Sequence, residues 1–293
     1  MNDSNTKSSS DLSSPIRGTG GLPTGGQGAI PNLFTLLNLI FGCIAIVFLL
    51  QTGEAIVQLD ASGAAQVFLP ERIGWGALFI FAAAVVDFLD GFLARMLKAS
   101  SEMGKQLDSL SDVVSFGVAP GIILYQLLRM GYAQQEGGLD ISMIALLPAF
   151  IFTGAVAWRL AKFNVSEDQK DSFRGVPSPA AGLLVASFPL ILNNPKFGME
   201  TLFINPWFLY GVIILLSYLM ISNRTFMAIK FKDFSFRNNL FKYILLAISL
   251  VLVVALQWLA VPIIFVVYLV FSFFTKTPDN VIVNQETNSI LPR

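Results

Sequence analysis

Long apolar stretches constrain this chain more than any other feature. Eight segments are mostly apolar: 33–51, 73–97, 106–128, 142–163, 178–194, 207–222, 240–257 and 259–274. Each holds roughly 16 to 25 residues, and a membrane-spanning helix needs about 20. The sequence therefore predicts an all-α, polytopic membrane protein with about eight transmembrane helices, the last two joined by a tight turn.

The composition excludes several kinds of chemistry. Charged residues make up 13% of the chain, against about 25% in a soluble domain. Histidine, the commonest general base and transition-metal ligand, is absent. The single cysteine, Cys43, lies in an apolar segment and cannot form an internal disulfide. Net charge is zero, so we expect no nucleic-acid partner. Proton transfer must therefore use Asp, Glu, Lys, Tyr or water.

Basic residues predict the orientation of the helices. When the eight segments alternate across the membrane, sixteen of the nineteen Lys and Arg residues fall on one side. The exceptions are Arg72, Arg129 and Lys196. Because Lys and Arg are enriched on the cytosolic side, we expect both termini there. Residues 1–30 lack signal-peptide features and are predicted to be a disordered cytosolic tail. Without a targeting signal, the plasma (inner) membrane is the expected location.

Four aspartates stand near the predicted cytosolic face. They are Asp87, Asp90, Asp108 and Asp112, all within 26 residues. Spacings of i, i+3 and i, i+4 place each pair on one face of its helix. The polar segment 98–105 can turn the chain, so the two faces should oppose each other. We predict that the four carboxylates converge on one pocket, where their burial requires a cation.

The ligand type predicts which cation. Carboxylate oxygens without His or Cys favour Mg²⁺ or Mn²⁺, with Ca²⁺ as a third option. Four carboxylates suit two divalent cations about 3.5–4 Å apart, an arrangement used for phosphoryl chemistry. The small residues Gly91 and Ala94 would let a ligand approach the helix, and Arg95 offers a fork for a phosphate.

Other interpretations stay open at this point. The aspartates could be solvated charges at the membrane interface, or belong to a non-catalytic scaffold. They could also form a divalent-cation transport site. A transport site predicts acidic residues spread along a path, whereas these cluster at one end beside Arg95.

The aspartate segment matches a known pattern, D-x-x-D-G-x-x-A-R-x8-G-x3-D-x3-D. All eight fixed positions are present: Asp87, Asp90, Gly91, Ala94, Arg95, Gly104, Asp108 and Asp112. The pattern resembles the signature of the CDP-alcohol phosphatidyltransferase family. The flanking stretches 31–35, 109–120, 159–164 and 175–182 are similar to those of its integral-membrane phosphatidylserine synthases.

The resemblance implies a reaction and a set of roles. CDP-diacylglycerol and L-serine would give phosphatidylserine and CMP, with inositol phosphate or glycerol phosphate as alternative acceptors. Asp87, Asp90 and Asp108 would hold one metal. Asp87, Asp108 and Asp112 would hold the other. Asp112 would also be the general base. A homodimer is implied as well.

The resemblance also implies substrate contacts. The residues expected to bind CDP-diacylglycerol are Asn32, Thr35, Gly91, Ala94, Arg95, Ser101 and Gly104. Asn32 could instead cap its helix, and Ser101 could be an ordinary loop residue. The candidates for binding serine are Arg159, Lys162, Asn164, Arg174 and Ser178. The basic ones could instead reach lipid headgroups.

Four regions follow from these observations. Residues 1–30 form the N-terminal tail and 31–222 a six-helix catalytic core. Residues 223–275 contain a basic cytosolic loop, which could bind anionic membrane lipids, and two extra transmembrane helices. Residues 276–293 form a second cytosolic tail.

Overall fold

The computed structural model is almost wholly helical. It describes residues 29–51, 57–59, 65–67, 71–97, 101–135, 140–165, 175–194, 198–224, 226 and 240–274. The two predicted tails and most of the basic loop lie outside these ranges. One antiparallel hairpin interrupts the helices, formed by β1 (Val57–Leu59) and β2 (Ala65–Val67). The predicted all-α class is confirmed, and the hairpin is an addition that the sequence did not indicate.

Helices occupy all eight segments that hydropathy singled out. In chain order they are α1 (Ala29–Leu50), α2 (Glu71–Met96), α3 (Glu102–Asp112), α4 (Ala119–Ala133), α5 (Met143–Leu146), α6 (Ala149–Val165), α7 (Ser178–Leu192), α8 (Glu200–Phe203), α9 (Pro206–Ile221), α10 (Leu240–Leu256) and α11 (Ala260–Phe274).

Within the described ranges, four stretches are long and apolar enough to cross a membrane. They are Pro31–Leu50, Arg72–Met96, Glu102–Ala133 and Tyr243–Ser272. Helices α7 and α9 are apolar but shorter. The chain is therefore a membrane protein, and the count of eight crossings stays a prediction.

A π-helical segment joins α3 to α4. Val113–Val118 adopts this wider turn directly after Asp112, so Glu102–Ala133 is one continuous helical stretch. Two buried serines, one at the end of α3 and one in the π-helical segment, attach this stretch to α1. Ser111 donates to the Thr35 carbonyl over 3.1 Å, and Ser115 donates to the Asn38 carbonyl over 3.0 Å. Segments of this kind often occur at functional sites, and this one fixes α1 beside Asp112.

Close helix contacts surround the π-helical segment. Gly182 of α7 lies against Phe116, where an added Cβ would come within 3.1 Å of the Phe116 Cα. Phe116, Phe152 and Phe188 are fully buried or nearly so, at 0%, 0% and 2% exposure. Helix α6 packs against α9 and against the π-helical segment. The core therefore centres on the stretch that follows the aspartates.

The last two long helices form a hairpin. Gln257 has φ 51° and begins a short 3-10 turn, Gln257–Leu259, after which α11 packs back on α10. Helix α11 also packs on α7. At the turn, Asn194 donates to Gln257 over 2.6 Å, and the rings of Phe81 and Trp258 lie 5.3 Å apart. The tight turn expected between these helices is present.

Candidate active site

Three aspartates form the compact part of the site. Ligand oxygens of Asp87, Asp108 and Asp112 all lie within 4.8 Å of one another. Asp87 comes from the last turns of α2, and the other two from α3. Asp112 is only 7% exposed. Three carboxylates this close repel one another, and a divalent cation would offset the repulsion. The group could therefore hold a metal.

The fourth aspartate lies beside this group and faces α1. Asp90 is 6% exposed and interacts electrostatically with Asp87 and Asp108. It accepts a short hydrogen bond from the Thr35 hydroxyl, which also lies 3.1 Å from the Pro31 carbonyl oxygen. Thr35, a predicted CDP contact, therefore lies beside the aspartates. Asp90 is hydrogen-bonded to Thr35 of α1, whereas the other three aspartates group with one another.

Asn38 is a site residue that the sequence analysis missed. Its side chain is 0% exposed, and its Nδ2 donates to Oδ1 of Asp112 over 3.3 Å. The amide oxygen has no hydrogen-bond partner among the described residues. A signal existed: Asn32, Thr35 and Asn38 recur at spacings of three in an otherwise apolar helix, and so share one face.

The predicted CDP contacts lie around the ends of α1, α2 and α3. Asn32 is in the first turns of α1, which begins at Ala29, so the alternative that Asn32 caps this helix is wrong. Its Oδ1 would be 2.9 Å from a Cβ added at Gly104. Ser101 is the N-cap of α3, where its hydroxyl accepts from the Gly104 N–H over 3.0 Å.

The remaining predicted CDP contacts are in the last turns of α2. Gly91 and Ala94 are partly exposed, and Arg95 is exposed. A Cβ added at Gly91 would come no closer than 3.7 Å to the Arg95 Nη1. This end of α2 leaves space for a ligand next to a cationic side chain.

Two of the predicted serine contacts meet each other. Arg159 of α6 donates from Nη1 to the hydroxyl of Ser178 over 3.0 Å. Ser178 is fully buried and is the first residue of α7. Arg159 also interacts electrostatically with Asp112. Its Nε is buried, and the described part of the chain offers it no hydrogen-bond partner. The Arg159 guanidinium therefore interacts with Asp112 and, within the described residues, keeps one hydrogen-bond donor without an acceptor.

The other predicted serine contacts have separate hydrogen-bond partners. Asn164 donates to Ser109 of α3 over 2.8 Å, so it lies beside the residue that follows Asp108. Lys162 is exposed and donates to Asn223 over 2.5 Å, at the end of α9. Arg174 lies outside the described residues.

Comparison with known proteins agrees with this geometry. The family model described as CDP-alcohol phosphatidyltransferase matches residues 28–221. A Helicobacter pylori (strain J99) protein named CDP-diacylglycerol–serine O-phosphatidyltransferase is 34% identical over 236 residues, covering 79% of this chain and 84% of that protein. A Bacillus subtilis protein of the same name is 32% identical over 181 residues, covering 60% and 86%. The chain belongs to the CDP-alcohol phosphatidyltransferase family.

Proposed function

We propose that this protein transfers the phosphatidyl group of CDP-diacylglycerol to L-serine, producing phosphatidylserine and CMP. Similar proteins from two bacteria carry the name of this activity. The observation that carries the chemistry is the group Asp87, Asp108 and Asp112, with ligand oxygens within 4.8 Å of one another. Arg159, which interacts electrostatically with Asp112, supports an acceptor that has a carboxylate.

Two divalent cations, Mg²⁺ or Mn²⁺, are the proposed cofactors. Asp87, Asp108 and Asp112 would hold one, and Asp90 would join Asp87 and Asp108 around the other. The donors are all carboxylate oxygens, which fits these hard cations. When bound, the cations would neutralise charge that develops on the diphosphate of the substrate.

In the proposed reaction, the serine hydroxyl oxygen forms a bond to the phosphatidyl phosphorus. The bond from that phosphorus to the oxygen of CMP breaks, and CMP leaves with the electron pair. Asp112 accepts the hydroxyl proton as general base. Asn38 donates to Oδ1 of Asp112 and would help to orient the carboxylate that takes this proton. Asp112 is only 7% exposed, so few water molecules could compete with the serine hydroxyl for its carboxylate.

The CDP part of the donor would occupy the ends of α1, α2 and α3. The proposed contacts are Asn32, Thr35, Gly91, Ala94, Arg95, Ser101 and Gly104. Arg95 is exposed and would pair with a phosphate. Arg95 and Ser101 are exposed at this end, so a water-soluble CMP could leave from it after each turnover.

The acceptor would bind on the side of α6 and α7. Arg159 would bind the serine carboxylate, with Ser178 fixing one of its nitrogens and leaving the buried Nε unpaired within the described structure. A buried donor without a partner costs about 1–3 kcal/mol, more when charged, and a carboxylate would remove that cost. Lys162, Asn164 and Arg174 are further proposed contacts.

The proposal also covers the catalytic core, the membrane orientation and the oligomeric state. Residues 31–222 form the catalytic core. The site and both termini face the cytosol, in the plasma membrane, where serine and CMP are soluble. The protein acts as a homodimer. The support for the orientation is the excess of Lys and Arg on the side of the aspartates.

The choice of acceptor is tested with purified protein in mixed micelles. CDP-diacylglycerol and Mn²⁺ or Mg²⁺ are supplied with labelled serine, inositol phosphate or glycerol phosphate in parallel. We expect lipid product from serine alone. Product from either phosphate, with none from serine, would overturn the assignment.

A matched pair of arginine variants tests the carboxylate contact. Arg159→Leu should raise KM for serine by at least tenfold. Arg129→Leu is the control, because Arg129 is exposed and lies near the other end of the helical core. It should leave KM unchanged.

A further inference from the structure

The α10–α11 hairpin follows the family-matched region, which ends at residue 221, and yet one of its faces is buried. Phe265, Tyr268 and Ser272 are 8%, 6% and 7% exposed. Their spacing of i, i+3 and i+7 makes a single stripe along α11. By contrast, α10 is largely exposed, as at Val254 with 79%. The buried stripe, and not α10, therefore connects the hairpin to the rest of the protein.

The stripe is apolar at its start and carries hydroxyl side chains farther along α11. It begins with the apolar Phe265 and continues with two hydroxyl side chains, Tyr268 and Ser272, which are hydrogen-bonded to each other. Hydroxyls on a buried face of an apolar helix are expected to meet polar partners. The polar half of the stripe lies toward the end of α11 farther from the Gln257 turn.

Arg159 is a polar group that interacts with this end of the stripe. Helix α11 packs on α7, and the first residue of α7, Ser178, accepts a hydrogen bond from the Arg159 guanidinium. Tyr268 interacts electrostatically with the same guanidinium. The bond between Asn194 and Gln257 fixes the other end of the hairpin against α7. The position of Tyr268 along α7 is thereby set.

A guanidinium with several donors needs several acceptors to keep one orientation. Ser178 supplies one, and the Arg159 Nε has none within the described residues. A phenol oxygen is a suitable further acceptor, and Ser272 restrains the Tyr268 side chain. Removing that support would leave Arg159 with more than one orientation.

We propose that Tyr268 is a positioning residue of the acceptor site. It holds the Arg159 guanidinium toward the carboxylate of the acceptor amino acid, so the hairpin completes a site that the family core begins. This inference rests on the proposed function, because it requires an acceptor with a carboxylate.

The test compares two tyrosine variants of the full-length protein in mixed micelles. Tyr268→Phe should raise KM for serine about five- to tenfold, while kcat and KM for CDP-diacylglycerol change less than twofold. Tyr218→Phe is the control, because Tyr218 is 68% exposed on α9, and it should match the wild type. Thermal unfolding of each variant shows whether the fold is kept.

A double variant tests whether Tyr268 acts through Arg159. In an Arg159→Leu background, the Tyr268→Phe change should add no further increase in KM for serine. If the two changes raise KM for serine by independent factors that multiply in the double variant, the inference is overturned. It is also overturned if Tyr268→Phe keeps the wild-type KM for serine. Equal changes of kcat and of both KM values in Tyr268→Phe would overturn it as well. If wild-type protein makes no phosphatidylserine, the proposed function fails too. If it does and Tyr268→Phe behaves like it, only this inference fails.

Discussion

Asn38 donates a hydrogen bond from Nδ2 to Oδ1 of Asp112 over 3.3 Å, and its side chain has no exposed surface. The bond joins α1 to the end of α3. Because a carboxylate only accepts, the amide must turn its NH₂ toward Asp112, and its own oxygen has no partner in the described structure. This bond holds the Asp112 carboxylate in one orientation relative to α1, so we expect Asn38 to affect turnover.

Replacing Asn38 by leucine should lower kcat about ten- to hundredfold, since a hydrogen bond to a charged group contributes about 1.5–3 kcal/mol. Leucine has a similar size, so the fold should be kept. Gln126→Leu is the control: Gln126 is also buried and donates to a backbone carbonyl, that of Leu49, over 3.0 Å. It should cost stability and leave kcat unchanged. Equal loss of kcat in both variants would contradict a specific role for Asn38.

The aspartates should differ in how many metal ions depend on them. Titration with Mn²⁺, followed by electron paramagnetic resonance, should give two ions per chain for the wild type. Asp108→Asn should weaken both sites, because Asp108 belongs to both proposed sets. Asp90→Asn should weaken only one. Asp140→Asn, at an exposed position, is the control. Identical titrations for Asp90→Asn and Asp108→Asn would refute this division.

Arg95 should act on the donor lipid and not on serine. Arg95→Leu should raise KM for CDP-diacylglycerol about tenfold, because an arginine–phosphate contact is charge-assisted. Arg72 is an exposed arginine near the other end of the same helix, so Arg72→Leu is a matched control. Initial rates at varied lipid and fixed serine measure the effect. A rise in KM for serine alone would assign Arg95 elsewhere.

Two glycines should respond oppositely to the same change. A Cβ at Gly182 would lie 3.1 Å from the backbone of Phe116, which cannot move away easily, so Gly182→Ala should lower the melting temperature by several degrees. A Cβ at Gly211 meets nothing within 4 Å, and alanine is the better helix former there. Thermal unfolding in detergent measures both. A stable Gly182→Ala variant would contradict the close α7 contact.

Hydropathy predicted where the helices lie because lipid requires long apolar segments. The π-helical segment Val113–Val118 was not predictable in this way, since its apolar residues suit an α-helix equally well. The hairpin between β1 and β2 was missed for a related reason. It lies between two strong helical segments, and its strands have only three residues each.

The motif spacing predicted that the aspartates lie together at one end of the fold. It could not predict which neighbouring side chains each aspartate contacts. Residues three apart on a helix differ by about 60° around its axis. That is enough for Asp87 to face Asp108 while Asp90 faces Thr35. Which neighbour each one meets depends on how closely α1 packs, and spacing alone does not contain that information. The electrostatic interaction of Tyr268 with Arg159 likewise depends on the fold.

The central claim is that the aspartate group performs metal-dependent transfer to an alcohol. Release of CMP from CDP-diacylglycerol in mixed micelles tests it most directly. We predict that release requires both serine and Mg²⁺ or Mn²⁺, stops with EDTA, and falls at least a thousandfold in Asp112→Asn, which loses both the base and a metal ligand. Metal-independent release, or full release by Asp112→Asn, would contradict this account, as would no release by the wild type.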